Sequence, residues 1–223
     1  MRISLLAYRT LQSVRNAGVA ETCRRIVRYL CPKPNENSFD TIHKTDTGGV
    51  LKLWELNTDS ANLWFGKSYQ AIPENELEAG LAFLQDNWTT FNFVDLGCGK
   101  GRALIIASRL GFSRVIGVEF VESLVNIARE NIRITKANAE VVFEDAARFE
   151  YPDGNLVLLM YNPFGEEVMR PVIRNLRKHR GEKLYVLYEQ PEQMAVIDAE
   201  ADFLVKVGKI PNSLQLFAWK RRT

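Results

Sequence analysis

The sequence predicts a doubly wound α/β fold with a mostly parallel sheet that ends in an antiparallel hairpin. From residue 91 onward, short apolar runs alternate with amphipathic segments of helix length, which is typical of parallel strands covered by helices on both faces. The last two apolar runs are joined by a "PNS" turn, which is too short for a crossover helix. We therefore expect these two runs to pair as an antiparallel hairpin.

The periodicity assigns most of the chain after residue 72. Strands are predicted over residues 91–96, 113–120, 139–145, 155–161, 183–190, 202–210 and 214–222. Helices are predicted over residues 73–88, 101–110, 121–134 and 166–180, the last of them broken or bent near Pro171. Residues 39–70 mix turns with short apolar pieces, and the pattern assigns no element there.

Composition limits the classes of protein that need to be considered. At 223 residues, with 46% hydrophobic and 25% charged residues, the chain suits one large domain, or one domain with an extension. Its three cysteines form no paired framework, and its two histidines match no metal-ligand spacing, so we expect a reduced environment and no metal. It has neither an apolar run long enough to span a membrane nor a signal-peptide pattern, so a cytoplasmic protein is expected.

The charge is distributed unevenly along the chain. Residues 1–34 contain six Arg and one Lys against the single acid Glu21, which leaves −4 for the rest of a chain with net charge +2. We predict a basic helical extension over residues 1–38 and a second domain over residues 39–223. The extension could contact a phosphate backbone or another anionic surface, or it could pack on the domain with its arginines in water.

A glycine-rich turn follows the first strand of the regular pattern. The stretch "VDLGCGKG" places Asp95 before three glycines at alternate positions: Gly97, Gly99 and Gly101. In doubly wound sheets ligands bind where the first strand turns into its helix. Two further acids, Glu119 and Asp145, end the next two strands, and an acid such as Glu119 can accept hydrogen bonds from both ribose hydroxyls. The pattern indicates a nucleoside ligand.

Two nucleoside cofactors compete for this turn. A dinucleotide fingerprint has the spacing Gly-x-Gly-x-x-Gly, which would require glycine where this chain has Arg102. A carboxylate at Asp95 would repel a pyrophosphate, whereas it would attract the amino group of a methionine moiety. Spacing and charge therefore favour S-adenosylmethionine.

The motifs "VDLGCGKG", "VIGVEF", "EDA" and "YNPF" together resemble those of class I S-adenosylmethionine-dependent methyltransferases. The resemblance covers about residues 69–191, is greatest to bacterial members that have no assigned substrate, and implies a seven-stranded sheet with a reversed last strand. It implies that the donor is contacted by Tyr69, Asp95, Gly97, Cys98, Gly99, Gly101, Glu119, Asp145 and Ala146. In that assignment Glu119 holds the ribose, and Asp145 and Ala146 face the adenine.

The methyl acceptor is less well determined. Asn162, Pro163 and Phe164 are similar to the Asn-Pro-Pro-aromatic motif of amino-methylating members, in which the Asn side chain accepts a hydrogen bond from the target nitrogen. The missing second proline argues against a planar amide or nucleobase. A lysine acceptor would need a carboxylate to take its proton, and Glu189 follows the fifth strand of the pattern.

Three functions therefore stay open: methylation of a protein amine (a lysine or a terminal amine), methylation of an RNA or DNA base, and binding of S-adenosylmethionine without turnover. The acceptor would accordingly be a protein or a nucleic acid.

We expect Cys98 to be a small loop residue, and Lys100 and Arg102 to face solvent. Arg174, Arg177, Lys178 and Arg180 form a further basic patch that could follow a phosphate backbone.

Overall fold

The computed structural model describes residues 14, 15, 19, 38–51, 69–211, 213 and 215–222. The chain divides after Asn37 into two compact units, residues 1–37 and residues 38–223. Val14, Arg15 and Val19 of the first unit are helical. The rest of the predicted basic extension lies outside the described residues and stays a prediction.

The second unit alternates strands and helices. Its helices are α1 (Ser38–His43), α2 (Glu74–Leu84), α3 (Arg102–Arg109), α4 (Glu122–Thr135), α5 (Glu166–Arg177) and α6 (Met194–Glu200). Its strands are β1 (Val50–Leu51), β2 (Tyr69–Gln70), β3 (Phe91–Leu96), β4 (Arg114–Glu119), β5 (Glu140–Phe143), β6 (Asn155–Tyr161), β7 (Leu184–Glu189), β8 (Leu204–Lys209) and β9 (Leu216–Arg221).

The main sheet has seven strands in the order β5-β4-β3-β6-β7-β9-β8, and β1 and β2 form a separate antiparallel pair. The strands from β5 to β7 are parallel, whereas β9 is antiparallel to both β7 and β8. This topology confirms the predicted mostly parallel sheet and its antiparallel C-terminal hairpin. Because β3 lies centrally, between β4 and β6, the turn that follows it sits at the middle of the sheet edge.

Alternating residues of the sheet build a core on each face. Phe91 and Phe93 of β3 belong to the cluster that includes the apolar residues of α2, α3 and α4. Val94 and Leu96 belong to the opposite cluster, which includes those of α5 and α6. Burial on both faces explains why these strands are continuous apolar runs in the sequence.

Four helices differ from the sequence prediction, and one of them, α1, lies in the stretch to which the pattern assigned no element. The helix α5 is continuous through Pro171, so it is not broken there, and the predicted alternative of a bend stays a prediction. The helix α2 ends at Leu84 because Gln85 adopts a left-handed conformation (φ 52°), and a separate 3₁₀ turn covers Trp88–Thr90. The seven-residue helix α6 was not predicted.

Candidate active site

The chain turns from β3 into α3 through a glycine bend, residues 97–101. Its glycines all have positive φ: +77° at Gly97, +54° at Gly99 and +84° at Gly101. A Cβ atom at Gly97 would lie 2.6 Å from Cβ of Pro163, and one at Gly99 would lie 2.1 Å from the Tyr69 ring. Backbone conformation and close packing both require glycine here. Two of the three glycines thus make room for side chains of the protein itself.

Two buried carboxylates lie at the ends of the neighbouring strands β3 and β4. Asp95 and Glu119 are each only 5% exposed. Burial, and secondarily the charge of Glu119, raises the pKa of Asp95 to about 8. Burial also raises the pKa of Glu119 to about 7, against the lowering effect of three backbone N–H donors. Among the described residues no cation pairs with Asp95, so a positively charged ligand would stabilise its ionised form.

Hydrogen bonds hold the Glu119 carboxylate against the backbone. Its Oε2 accepts from the N–H of Gly99 at 2.9 Å, and its Oε1 accepts from the N–H groups of Phe120 and Val121 at 2.9 and 3.0 Å. A carboxylate has about four acceptor positions, so roughly one remains, on Oε2. In this arrangement Glu119 can accept one further hydroxyl, rather than the two that its predicted ribose contact would use.

Cys98 directs its side chain into the protein. A Cβ atom at Gly117 of β4 would lie 2.6 Å from the Cys98 Sγ atom, so the thiol fills the space above that glycine. The Cys98 N–H donates to the Val118 carbonyl at 3.1 Å, and its carbonyl accepts from the Gly101 N–H at 2.9 Å. Burial raises the pKa of the thiol. These contacts fit a small packed loop residue, and they leave little of Cys98 for a ligand.

A cavity of about 30 Å³ opens beside the glycine bend. It is lined by Gly97, Val118, Phe120, Glu144, Asp145, Ala146, Pro163, Phe164 and Val168. The cavity thus brings the predicted adenine-facing residues, Asp145 and Ala146, together with Gly97. The sequence analysis did not identify three other lining residues: Phe120, Glu144 and Val168. Phe120 and Glu144 each adjoin an acid at a strand end, which is the signal that could have identified them.

The motif after β6 adjoins this cavity. Asn162 has a left-handed backbone (φ 41°), and its buried Oδ1 atom has no hydrogen-bond partner among the residues that the structure describes. Pro163 packs on Gly97, and Phe164 is buried in the core while lining the cavity. An unsatisfied buried acceptor costs about 1–3 kcal/mol, so the Asn162 amide oxygen is a candidate ligand group.

Glu189 ends β7 and pairs in register with Tyr161, the residue before Asn162. It is 2% exposed, and within the described part of the chain its Oε2 atom also has no hydrogen-bond partner. Burial, and then the charge of Glu76, raises the pKa of Glu189 to about 7. Two unsatisfied acceptors therefore lie at the ends of adjacent strands.

A segment before the main sheet, which we call the N-terminal strap (residues 38–48), is bonded to the glycine bend. Lys100 Nζ donates to Asp46 Oδ1 at 2.7 Å and to the Gly48 carbonyl at 3.0 Å. Arg102 Nε donates to Thr47 Oγ1 at 2.8 Å. Lys100 is 5% exposed and the Arg102 side chain 11%, so the prediction that both face solvent is wrong. Their partners precede them by more than 50 residues.

Asn131 of α4 joins the strap to the bend. Its Oδ1 atom accepts from the Asp46 N–H, and its Nδ2 atom donates to the carbonyls of Asp46 and Lys100, each at 2.9 Å. Nearby, the Tyr69 hydroxyl donates to the Thr47 carbonyl at 2.6 Å, which holds the ring over Gly99. The predicted cofactor residue Tyr69 is therefore positioned by the strap.

Part of the basic patch predicted on and after α5 forms ion pairs within the protein. Arg177 pairs with Asp202 at 2.6 Å, although Arg174, Lys178 and Arg180 are exposed. Arg170 of the same helix pairs with Glu166 and Glu200. Internal pairing reduces the positive field that a phosphate backbone would meet.

Two further findings concern only the part of the chain that the structure describes. There, no group of three or more His, Cys, Asp or Glu side chains is arranged to hold a metal ion. None of the helices described combines the length and the apolar character that a bilayer crossing requires. The cellular location stays a prediction.

Comparison with known proteins places the glycine bend in a recognised domain. A family described as "Methyltransferase domain" matches residues 93–180. A ribosomal protein L11 methyltransferase from Thiobacillus denitrificans is 26% identical over 210 residues, covering 82% of this chain and 69% of that protein. One from Thermotoga neapolitana is 34% identical over 77 residues, covering 34% of this chain but only 28% of the relative. A Pyrococcus horikoshii structure, described provisionally as an RNA methyltransferase, has a TM-score of 0.54 at 20% identity, covering 77% of this chain and 95% of that one.

The chemistry of the described site fits S-adenosylmethionine. Asp95 and Glu119 are buried carboxylates without a cationic side-chain partner among the described residues, which suits a ligand that carries an ammonium and a sulfonium charge. The same pair would oppose a pyrophosphate. The matched domain spans the glycine bend, Glu119, Asp145 and Asn162. Residues 93–180 of this chain thus match a methyltransferase domain, and the site that they form fits S-adenosylmethionine as the methyl donor.

Proposed function

We propose that this methyltransferase acts on a protein amine, either a lysine side chain or a terminal amine. The observation that carries the proposal is a pair of buried acceptors on adjacent strand ends, Asn162 Oδ1 and Glu189 Oε2, that no other described residue satisfies. An amine nitrogen brings several N–H donors, so it could satisfy both acceptors at once. Pro163 links this motif to the glycine bend, and hence to the donor side of the site.

An amine acceptor must lose a proton before it can react. A lysine has a reference pKa of about 10.4, so deprotonation at pH 7 costs about 4.6 kcal/mol. Burial raises the pKa of Glu189 from 4.5 to about 7. This change makes proton transfer from the amine to Glu189 about 3 kcal/mol less unfavourable than transfer to an ordinary glutamate.

The residues divide the work between donor and acceptor. S-adenosylmethionine, when bound, supplies an electrophilic methyl group on a sulfonium and leaves as a thioether. Asp95, Glu119 and the glycine bend would hold that donor, with Asp145 and Ala146 at its adenine end. Asn162 Oδ1 would orient the acceptor nitrogen, and Glu189 would take its proton. Alignment of this kind supplies as much as ~7–11 kcal/mol of a barrier.

A protein acceptor is favoured over a nucleobase on two grounds. The Thiobacillus and Thermotoga relatives are named as methyltransferases of a ribosomal protein. Phe164, which would have to stack on a flat base, is 5% exposed and packed within the core. An RNA or DNA base, or binding without turnover, are the competing outcomes.

Transfer of tritiated methyl groups in lysate tests the proposal. Lysate from cells that lack the protein is incubated with purified enzyme and labelled S-adenosylmethionine, and is then divided between protease and nuclease. We expect protease-sensitive label, and methylated lysine or a methylated terminal amine after acid hydrolysis. Nuclease-sensitive label would instead identify a nucleic-acid acceptor. Donor binding by calorimetry without any label would favour a non-catalytic domain.

A further inference from the structure

Two strand ends beside the acceptor motif have an unusual backbone. Among the residues that the structure describes, five that are not glycine have a positive φ: Lys44, Gln85, Lys136, Asn162 and Gln190. The first three directly follow the helices α1, α2 and α4, where a left-handed residue ordinarily ends a helix. The other two directly follow the strands β6 and β7, so their conformation has a different cause.

The two left-handed residues lie at adjacent strand ends. Tyr161 of β6 pairs in register with Glu189 of β7, and Asn162 and Gln190 are the next residues along the chain. Their φ angles are 41° and 51°. Asparagine adopts this conformation more readily than most residues, whereas glutamine has no such preference. Backbone strain of this kind persists only where surrounding contacts impose it, so Gln190 requires contacts that hold it.

Gln190 is held from both neighbouring strands. Its backbone N–H donates to the carbonyl of Gln215, the residue before β9, at 3.0 Å. Its side-chain Nε2 atom donates to the Tyr161 hydroxyl, at the end of β6, at 3.1 Å. Because β7 lies between β6 and β9, Gln190 joins the ends of three neighbouring strands. We call the hydrogen bond between Gln190 and Tyr161 the strand-end clamp.

The strand-end clamp adjoins both acceptors of the proposed function. Asn162 directly follows Tyr161, and Glu189 directly precedes Gln190. No other described residue hydrogen-bonds Asn162 Oδ1 or Glu189 Oε2. The direction of these two atoms therefore depends on the backbone that carries them, and the clamp fixes that backbone on both strands.

We propose that Gln190 is a positioning residue for methyl transfer: through Tyr161 it holds the strand end that aims Asn162 Oδ1 at the acceptor nitrogen. Gln190 itself touches neither donor nor acceptor in this role. The inference rests on the proposed function, which supplies the role of Asn162. Displacement of a reacting group by about 1 Å can cost about a hundredfold in rate, so loss of the clamp should slow transfer without changing donor affinity.

Replacement by glycine separates this role from a structural one. Gln190→Gly removes the side chain and relieves the strain of the positive φ, so the variant should fold. Gln85→Gly is the matched control, because Gln85 has a φ of 52° and is exposed at the end of α2. The rate of labelling of lysate protein is measured with saturating tritiated S-adenosylmethionine, and donor affinity is measured by calorimetry.

We expect Gln190→Gly to slow labelling at least tenfold at an unchanged donor Kd, and Gln85→Gly to label at the wild-type rate. Labelling by Gln190→Gly at the wild-type rate would overturn the proposal. So would slower labelling accompanied by an equal loss of donor affinity, because that result indicates a structural role.

Tyr161→Phe tests whether Gln190 acts through the hydroxyl. This variant should slow labelling as Gln190→Gly does, and the double variant should be no slower than either single variant. Slowing that multiplies in the double variant would show that the two residues act independently, against the clamp.

Nuclear magnetic resonance provides a readout that needs no turnover. The side-chain amide signals of Asn162 are identified by their loss in Asn162→Ala. They should shift in Gln190→Gly and in Tyr161→Phe, and stay in place in Gln85→Gly. Unmoved Asn162 signals in Gln190→Gly would overturn the proposal.

The positioning role and the proposed function fail separately. If label enters nucleic acid and Gln190→Gly slows its entry, the proposed function fails and the positioning role stands. If label enters protein at the same rate in Gln190→Gly and wild type, the reverse holds. If wild type transfers no label, the Asn162 amide signals decide on the clamp.

Discussion

Replacing Asp95 by Asn should strengthen the fold and weaken donor binding, two effects of opposite sign. Asp95 is buried at the end of β3, and among the described residues it has no cationic partner. Its pKa is raised from 3.8 to about 8. The unfolded chain therefore ionises near pH 4, whereas the folded protein without donor keeps the proton until about pH 8. Stability contributed by the neutral acid is lost as the pH rises through this window.

The size of the effect follows from the linkage slope. The proton that Asp95 releases on unfolding changes stability by about 1.4 kcal/mol per pH unit, so Asp95 alone should cost the donor-free protein ~2 kcal/mol between about pH 6 and pH 7.5, in addition to the losses from Glu119 and Glu189. Asp95→Asn removes this dependence, and at pH 7.5 it should unfold at a higher denaturant concentration than wild type. Loss of the carboxylate should weaken donor affinity at least tenfold, about 1.4 kcal/mol.

Urea unfolding at the two pH values and calorimetry with S-adenosylmethionine measure these quantities. Asp198→Asn, an exposed aspartate of α6, serves as the matched control and should change neither. Unchanged donor affinity in Asp95→Asn would remove Asp95 from the donor site. A variant less stable than wild type at pH 7.5 would show that the carboxylate is not an uncompensated buried acid.

Three further changes test other parts of the site. Gly99→Ala should lose donor binding and stability because its Cβ atom would meet the Tyr69 ring. The control Gly111→Ala also has a positive φ, but its Cβ atom would have 3.8 Å of clearance, so it should show only backbone strain. Equal effects of the two variants, measured by thermal unfolding and by calorimetry with the donor, would refute the packing argument. Asn131→Ala should destabilise the fold by about 2–4 kcal/mol and raise the Kd for the donor, because three hydrogen bonds of Asn131 fix the strap. Loss of stability with an unchanged donor Kd would show that the residue is purely structural. Asn162→Ala should lower kcat at least about a hundredfold at unchanged donor Kd, and an unchanged kcat on the labelled protein acceptor would exclude its role.

The sheet was predictable because its signals are local. The strand β6 has the bounds 155–161 that its apolar run indicates, and the glycine bend follows β3 as its spacing requires. The helix α6 was missed because seven residues with two buried apolar side chains, Val196 and Ile197, are too few to display a period. The helix α5 is not broken at Pro171 because packing of its apolar face outweighs the lost hydrogen bond.

The long-range contacts of the site could not be predicted from local pattern. Lys100 and Arg102 resemble solvent-facing residues because their partners, Asp46 and Asp40, lie in a stretch without clear periodicity. The close packing of Gly80 in α2 against Leu187 and Leu216 of the sheet was equally hidden, because it joins segments more than 100 residues apart.

The central claim, that a cationic donor settles against buried Asp95, is tested most directly by counting protons during donor binding. Calorimetric titration with S-adenosylmethionine in buffers of different ionisation enthalpy gives the number of protons released on binding. The titration is done at about pH 6.5, because the α-amino group of the donor is already charged at this pH and takes up no proton. With a pKa of about 8, Asp95 is protonated before binding and should ionise beside the donor, so wild type should release close to one proton more than Asp95→Asn. Tight binding without proton release, or tighter binding of NAD than of S-adenosylmethionine, would contradict the account.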